Sequence, residues 1–253
     1  MKKITFILGL AMLGLMMNSC KKDRADAASS YPYSVRMTDA PGPFSAVFID
    51  LKGIEVTGGD GKAVTMVINP GIYNLLDYSN GIDTLIGTGN LESASVQQIR
   101  LILGTNNSVL IGNVSYPLST PSAEQSGLKL QVHQTLQLGV MNSVLLDFDA
   151  NQSIILEGNG TYKLKPVIRT ILAADCGLIR GKITPVGSVA FVEATSSITY
   201  ASNVSASGDF LLMGLPPGTY SVTVTPLLPL KPITVTNVSV SKGITTDIGT
   251  IVF

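Results

Sequence analysis

The segment "LLDFDANQSI", residues 145–154, holds the residues whose types and spacing come nearest to a chemical site. Asp147, Asp149 and Asn151 stand two apart, as carboxylates do at the start of a calcium-binding loop. A loop of the EF-hand type that starts at Asp147 needs glycine at its sixth position and glutamate at its twelfth. The sequence has Gln152 and Gly158 at those positions. The EF-hand is therefore excluded.

Three interpretations of the aspartate pair remain. In a β-strand, Asp147 and Asp149 lie on one face and Phe148 lies on the other. The first interpretation is an outward polar face that runs into a turn, where Asp and Asn side chains bind nearby backbone groups. The second is a bound cation held by the two carboxylates. The third is a hydrolytic dyad, which requires a cleft between the two carboxyl groups. The first is favoured, so we assign no catalytic, cofactor-binding or metal-binding residue.

Histidine and cysteine give little support to catalysis. His133 is the single histidine, so a serine or cysteine nucleophile with a histidine base would have to use it. It lies on the polar face of its predicted strand, together with Lys129, Gln131 and Gln137. No G-x-S-x-G motif supplies a nucleophile. We expect a surface histidine. Cys176 is expected to be a small buried apolar residue near a domain boundary, and one His with one further Cys excludes the usual zinc sites.

The start of the chain predicts export and lipid anchoring. An apolar run, Ile4–Met17, follows Lys2 and Lys3 directly and is too short for a spanning helix. "LMMNSC" closes this run with Cys20 and resembles a bacterial lipobox, in which the cysteine is acylated and becomes the first residue. We expect a signal peptide over 1–19, a polar tether over 20–32, and an outer-membrane lipid contact through acylated Cys20.

The overall charge excludes one class of partner. Lys and Arg together number 17, as do Asp and Glu, which gives a formal net charge of zero. No basic run with interleaved aromatic residues occurs either. Nucleic-acid binding is therefore not expected, and a protein or glycan remains as the partner.

The body of the chain has the period-two pattern of β-strands, punctuated by Gly, Asn, Asp and Pro. In "AVFIDLKGIEV" the residues Val47, Ile49 and Leu51 share a face, and Gly53 interrupts the alternation as a bulge would. A short helix within 83–95 is the one alternative to strand. In "GLKLQVHQTLQL" one face is predicted to hold a set of apolar residues: Leu128, Leu130, Val132, Leu136 and Leu138.

These patterns predict an all-β protein of two tandem β-sandwich domains. The first spans 33–172 and the second 177–253, with the boundary at Leu172 to Cys176. The second region is rich in Thr, Val, Ser and Pro and offers about seven short strands at the spacing typical of a sandwich.

Two resemblances accompany this pattern. "TDAPGPFSAVFIDLKGIEV", "QIRLILGTNNSV", "TPSAEQSGLKLQVH", "LLDFDANQSI" and "YKLKPVIRTI" together resemble an uncharacterised envelope lipoprotein family, domain of unknown function 4382. This resemblance implies an exported β-rich domain and transfers no catalytic residue. The tail is similar to carboxypeptidase-regulatory or transthyretin-like sandwiches through "SASGDFLLMGLPPGTYSVTVTP", which implies a fold and no activity.

The combined expectation is a non-enzymatic lipoprotein of the cell envelope that acts in binding, adhesion or assembly. One alternative is a glycan-binding accessory of polysaccharide uptake, although Trp is absent and aromatic residues make up only 6% of the chain. The other is a hydrolase that uses Asp147, Asp149 or His133. No cofactor is expected in any of the three.

Overall fold

The structure is a computed structural model that describes residues 30–40, 42–120, 126–172 and 175–253. The expected signal peptide, Cys20 and all of the tether before residue 30 lie outside the described residues. The prediction of an all-β fold is confirmed. Within the described ranges, no helix is long and apolar enough to cross a membrane.

The first part of the chain, up to residue 172, forms fourteen strands with two short helical turns among the described residues. The strands are β1 (Tyr31–Ala40), β2 (Ala46–Gly58), β3 (Ala63–Thr65), β4 (Val67–Ile68), β5 (Gly71–Asn74), β6 (Thr84–Leu91), β7 (Ser95–Leu103), β8 (Ser108–Ile111), β9 (Val114–Ser119), β10 (Leu128–Thr135), β11 (Asn142–Asp149), β12 (Ile154–Leu156), β13 (Tyr162–Leu164) and β14 (Ile168–Ile171). The turns are a 3-10 helix, Leu75–Tyr78, and α1, Ala150–Ser153.

These strands form two sheets that face each other. The smaller sheet has the order β14-β11-β1-β6-β4, and its central pair, β1 and β11, is parallel. The larger sheet has the order β10-β7-β2-β8-β9-β13-β12, with β3 and β5 also paired to β2. One buried cluster draws Tyr33 and Phe148 from the first sheet and Ile49 and Ile99 from the second. The apolar faces of the two sheets therefore bury each other, as in a sandwich.

Strand β2 shows how the sequence pattern produces this arrangement. Val47, Ile49 and Leu51 alternate inward and are at most 1% exposed. The pairing of β2 with β7 shifts between Leu51 and Gly53, after which Ile54 and Val56 again point inward. The predicted bulge is thus confirmed, and it keeps both halves of a long strand facing the core.

Two of the local predictions were wrong. Residues 84–91 form strand β6, so the alternative of a short helix within 83–95 is not adopted. Strand β10 ends at Thr135, and its register shifts between Gln131 and Gln134, where His133 has a left-handed φ of 51°. Leu138 consequently lies in a loop and is 62% exposed instead of sharing the inward face.

The second part of the chain forms seven strands, the number that the spacing of its turns predicts. They are β15 (Gly177–Thr184), β16 (Val189–Thr195), β17 (Thr199–Ser202), β18 (Asp209–Leu215), β19 (Gly218–Pro226), β20 (Ile233–Val240) and β21 (Thr245–Val252).

These seven strands make two further sheets, β18-β15-β21 and β17-β16-β19-β20. Between them lies a separate buried cluster that includes Ile179, Phe210, Val222 and Val224. Pro216 and Pro217 carry the chain from β18 in one sheet to β19 in the other.

A short polar loop of the first sandwich contacts the second. The side chain of Asn80 accepts a hydrogen bond from Leu211 N (2.7 Å) and donates one to Asp209 O (3.1 Å). These are the bonds that a neighbouring strand would make with β18. Asn203 also donates to Ser79 Oγ at 3.3 Å. The outer edge of β18 is therefore partly paired by the first sandwich.

Candidate functional site

Three buried carboxylates meet where β1 and β11 end. In the parallel register, Thr38 lies opposite Asp147 and Ala40 lies opposite Asp149, so β1 and β11 end at the same end of the sheet. Asp39, Asp147 and Asp149 are 5%, 4% and 7% exposed. We refer to these three residues as the acidic cluster. Carboxylates are almost never buried without partners, so the position of each oxygen matters.

Asp149 ends the strand and begins a helical turn. Its Oδ1 accepts the backbone N–H of Gln152 at 2.9 Å, and its Oδ2 accepts the side-chain amide of the same residue. This is N-capping of α1, in which a side-chain oxygen takes a backbone donor that the helix leaves free. The interpretation of Asp149 as a strand-end cap is confirmed, and each of its oxygens already accepts a hydrogen bond from Gln152.

Asp147 lies opposite Arg169 of β14 and forms an ion pair with it. The guanidinium of Arg169 lies 4.4 Å from the centre of the Tyr200 ring and donates to Thr199 O at 3.3 Å. Burial raises the pKa of Asp147, and the charge and hydrogen bond of Arg169 lower it only in part. The expected outward direction of Asp147 is correct. Its expected exposure is wrong, because the second sandwich covers this face.

Asp39 is the member of the cluster that the sequence argument missed. It continues the inward alternation of Tyr33, Val35 and Met37 on β1, and so it lies at the end of an apolar face. Its Oδ1 accepts Ala150 N at 3.2 Å, but its Oδ2 is buried with no hydrogen-bond partner. The signal in the sequence that could have identified Asp39 is its position two residues after Met37, which is the next inward-facing position of β1.

The surroundings of Asp39 disfavour its charged form. Burial is the main cause that raises the pKa of Asp39 well above its ordinary value, and the nearby Asp147 and Asp149 raise it further, while the bond from Ala150 N lowers it. Of the three carboxylates, Asp147 is the one that forms an ion pair with Arg169. Protonation of Asp39 would remove its repulsion with Asp147 and Asp149.

The space beside the cluster is too small for a substrate. A cavity of about 20 Å³ is lined by Asp39 and Asp147 from the first sandwich and by Ser202 and Met213 from the second. That volume holds about one water molecule. This cavity beside Asp147 has no room for a sugar ring or peptide, which the dyad interpretation would have to place next to that carboxylate. Among the residues that the structure describes, no group of three or more His, Cys, Asp or Glu side chains could hold a metal ion.

The histidine and the second cysteine are the other residues considered for catalysis. His133 is exposed, as predicted, with Nδ1 2.9 Å from Gln97 Oε1. Cys176 is half-buried, and burial together with the charge of Asp175 raises the pKa of its thiol. A raised thiol pKa lowers the fraction of reactive thiolate.

A second concave region lies on the outer face of β18-β15-β21. It has a volume of about 680 Å³, and Asn80 of the first sandwich contributes to its wall. Its lining includes two ion pairs, Arg180–Asp247 (2.9 Å) and Lys182–Asp209 (3.7 Å). A hydrogen bond from Gly249 N and one from Arg180 lower the pKa of Asp247. We call this region the charged groove.

The acidic cluster predicts an unusual dependence of stability on pH. The folded-state pKa of Asp39 lies above its ordinary value of 3.8, so the folded chain holds a proton that the unfolded chain releases. Its stabilising contribution is fully present below that value and is lost as the pH rises through the folded pKa. We expect the free energy of unfolding to fall with pH in this window, by at most about 1.4 kcal/mol per pH unit for such a group. In Asp39→Asn this slope should flatten, as measured by urea unfolding followed by circular dichroism.

Asp50→Asn is the matched control, because Asp50 is equally buried but well partnered. Its carboxylate lies 2.8 Å from Lys52 Nζ and accepts the Asn106 side chain at 3.1 Å. Burial raises its pKa, but Lys52 and Asn106 outweigh this effect and the net pKa is lowered. Asp50→Asn should lower the free energy of unfolding at pH 7 by about 1–3 kcal/mol. An equal loss in Asp39→Asn, with an unchanged pH slope, would contradict our description of Asp39.

The ion pair between Asp147 and Arg169 leads to a second prediction about stability. Arg169→Met retains an apolar stem and removes the charge, which leaves Asp147 buried without a cation. We expect a loss of about 3–5 kcal/mol in the free energy of unfolding at pH 7, measured in the same way. The double variant Arg169→Met/Asp147→Asn should recover a large part of it. Failure to recover would mean that the packing of Arg169 on Tyr200, and not charge, dominates.

The solved structures similar to this chain include three bacterial proteins with low sequence identity. The chain is 12% identical to the minor pilin GBS52 of Streptococcus agalactiae, with 87% of this chain and 94% of that one covered and a TM-score of 0.25. For a fimbrial protein from Bacteroides ovatus the values are 8%, 90%, 51% and 0.26. For the Bacillus anthracis TIE protein they are 9%, 87%, 40% and 0.25, so the chain spans less than half of that protein's length. Scores this low carry no argument about fold or function.

The family comparison is more specific. Among curated proteins, none matches the chain. The family described as domain of unknown function, DUF4382, matches residues 32–166. That range contains both sheets of the first sandwich except β14, together with all three carboxylates of the acidic cluster. The chain belongs to the DUF4382 family, as the resemblance in its sequence blocks predicts.

Proposed function

We propose that this chain is a non-enzymatic lipoprotein of the cell envelope, anchored to the outer membrane through acylated Cys20. The observation that carries the proposal is the N-terminal sequence. A basic start, the apolar run Ile4–Met17 and Cys20 follow one another in the order that lipoprotein signals use. The first described strand begins at Tyr31, eleven residues after Cys20. This leaves a polar stretch long enough to act as a tether.

The state of the titratable groups supports a binding or assembly role over catalysis. In the acidic cluster, Asp149 caps a helix, Asp147 pairs with Arg169, and Asp39 is buried on an apolar face. General acid–base work needs a carboxyl group within hydrogen-bond reach of a substrate. The cavity beside these groups admits only about one water molecule. The cluster is therefore best explained as part of the framework that joins the two sandwiches.

Binding would use loops and free strand edges. Among the strands that the structure describes, β21 pairs with β15 alone, and we propose that its other edge takes an added strand. We further propose that the second sandwich is of the carboxypeptidase-regulatory or transthyretin-like kind, which is supported by its seven strands in two sheets. Adhesion or envelope assembly is the role in which an anchored pair of such sandwiches would serve.

A substitution of each cysteine tests the anchor. We expect Cys20→Ser, expressed in a bacterium that lipidates its exported proteins, to lose incorporation of labelled palmitate. Cys176→Ser is the matched control and should retain the label, because its half-buried thiol lies within the fold. Continued labelling of Cys20→Ser would disprove acylation at that residue.

The charged groove favours a second candidate function, the binding of a glycan. Its volume lies within the range of small-ligand sites, about 300–1,000 Å³. Arg180, Asp247 and Asn80 place donors and acceptors around it, as recognition of sugar hydroxyls requires. The aromatic residue in its lining, Phe210, is only 2% exposed and offers little stacking surface.

A glycan array with the purified protein tests this second function. For any glycan that binds, Arg180→Ala should weaken the affinity about tenfold or more, because a hydrogen bond to a charged group is lost. Arg36→Ala is the control, since Arg36 forms an ion pair with Asp83 in the first sandwich, outside the groove. An equal effect of both variants, or an array without signal, would remove the glycan hypothesis.

A further inference from the structure

Three large apolar side chains stand exposed together in the loop between β10 and β11. Leu138, Val140 and Met141 are 62%, 47% and 63% exposed. Single apolar residues on a surface are ordinary, but neighbouring ones within one short loop mark a contact surface. We call residues 137–141 the apolar loop.

The fold holds the apolar loop in its exposed conformation. The side chain of Asn142, itself only 8% exposed, accepts from Gln137 N at 2.8 Å and donates to Gln137 O at 3.0 Å and Val140 O at 2.9 Å. Gly139 takes a φ of 72°, which lets the chain turn at the tip of the loop. Because a buried amide fixes the backbone, the apolar side chains cannot turn inward without breaking these bonds.

The apolar loop lies where the N-terminal segment enters the fold. Gly139 N donates to Ser30 O at 3.3 Å, and the Asn142 side chain also donates to Pro32 O at 3.3 Å. Ser30 follows Cys20 by ten positions in the sequence, which is ten Cα-to-Cα steps. Fully extended, they reach at most about 35 Å, at roughly 3.5 Å per residue. A lipid on Cys20 therefore keeps this end of the sandwich near the bilayer.

We propose that the apolar loop is the membrane-contacting surface of this protein, with Leu138, Val140 and Met141 inserted among the lipid headgroups. This inference rests on the proposed lipid anchor at Cys20. The tether makes the loop's contact with the bilayer intramolecular, so its effective concentration is high and a few apolar side chains suffice. The contact decides which end of the sandwich faces the lipid.

The charges near the apolar loop predict an apolar rather than an electrostatic contact. Leu136 N donates to Ala94 O, which places the 92–95 turn beside the loop. Its charged residue, Glu92, lies 4.0 Å from Lys62. The tether sequence contains three basic residues, Lys21, Lys22 and Arg24, and two acidic residues, Asp23 and Asp26. With these charges nearly balanced, the contact should resist salt, whose screening acts on exposed charges.

A single tryptophan tests the proposal, because the chain contains none. Leu138→Trp and Leu156→Trp are matched variants, since these leucines are 62% and 61% exposed and Leu156 lies on β12, at the edge of the larger sheet. The lipidated proteins are reconstituted into phosphatidylcholine vesicles with brominated acyl chains. We expect a blue-shifted and quenched emission for Leu138→Trp only, unchanged between about 0.1 and 1 M salt. Met141→Trp replaces Leu138→Trp if the latter fails to fold by circular dichroism.

Each other outcome overturns the inference in a different way. If the wild-type protein does not co-sediment with vesicles, the proposed anchor fails and the loop inference fails with it. If wild type co-sediments but the Leu138→Trp emission matches that of Leu156→Trp, the anchor stands and the loop inference alone is wrong. A blue shift without quenching, which grows with the protein density on the vesicles, would assign the loop to a contact between two copies of the chain.

Discussion

The buried ion pair between Asp147 and Arg169 lies at the junction of the two sandwiches, and Arg169 links it to the second one. The two residues are directly opposite in β11 and β14, so the pair forms within one sheet. The guanidinium also lies over Tyr200 and donates to Thr199, both in the second sandwich. One cation thus compensates a buried carboxylate and fixes the covering domain. A buried pair is costly to break because either partner alone is an uncompensated charge.

This constraint explains why the edge of the first sandwich is more polar than its interior. Asn80 supplies strand-like hydrogen bonds to β18, and Asp149 caps the turn that follows β11. Nearly all of these groups find partners, as buried polar groups must. Two buried atoms here have no hydrogen-bond partner among the described residues: Oδ2 of Asp39, which lies at the end of an apolar face, and Nε of Arg169. Burial and the two nearby carboxylates raise the pKa of Asp39, so this position disfavours its charged form.

The regions suited to contact with other molecules lie outside this cluster. The charged groove uses the outer face of β18-β15-β21, and the apolar loop is displayed by Asn142 at the opposite end of β1 from Asp39. A strand of ten residues spans about 33 Å. The surface that we assign to the bilayer is therefore distant from the domain junction.

The fold class, the bulge at Gly53 and the seven strands from residue 177 onward could be predicted from the residues alone, because each follows from local alternation and turn residues. The same alternation places Asp147 and Asp149 on one strand face. That this face is buried follows from the packing of the second sandwich, since alternation defines the sides of a strand but not what covers them. In the same way, the alternating pattern predicts Leu138 on the apolar face of strand β10. The left-handed φ of His133 and the end of β10 at Thr135 place Leu138 in a loop instead. Asp39 completes the contrast, because its charge matters only through neighbours that are distant in the chain.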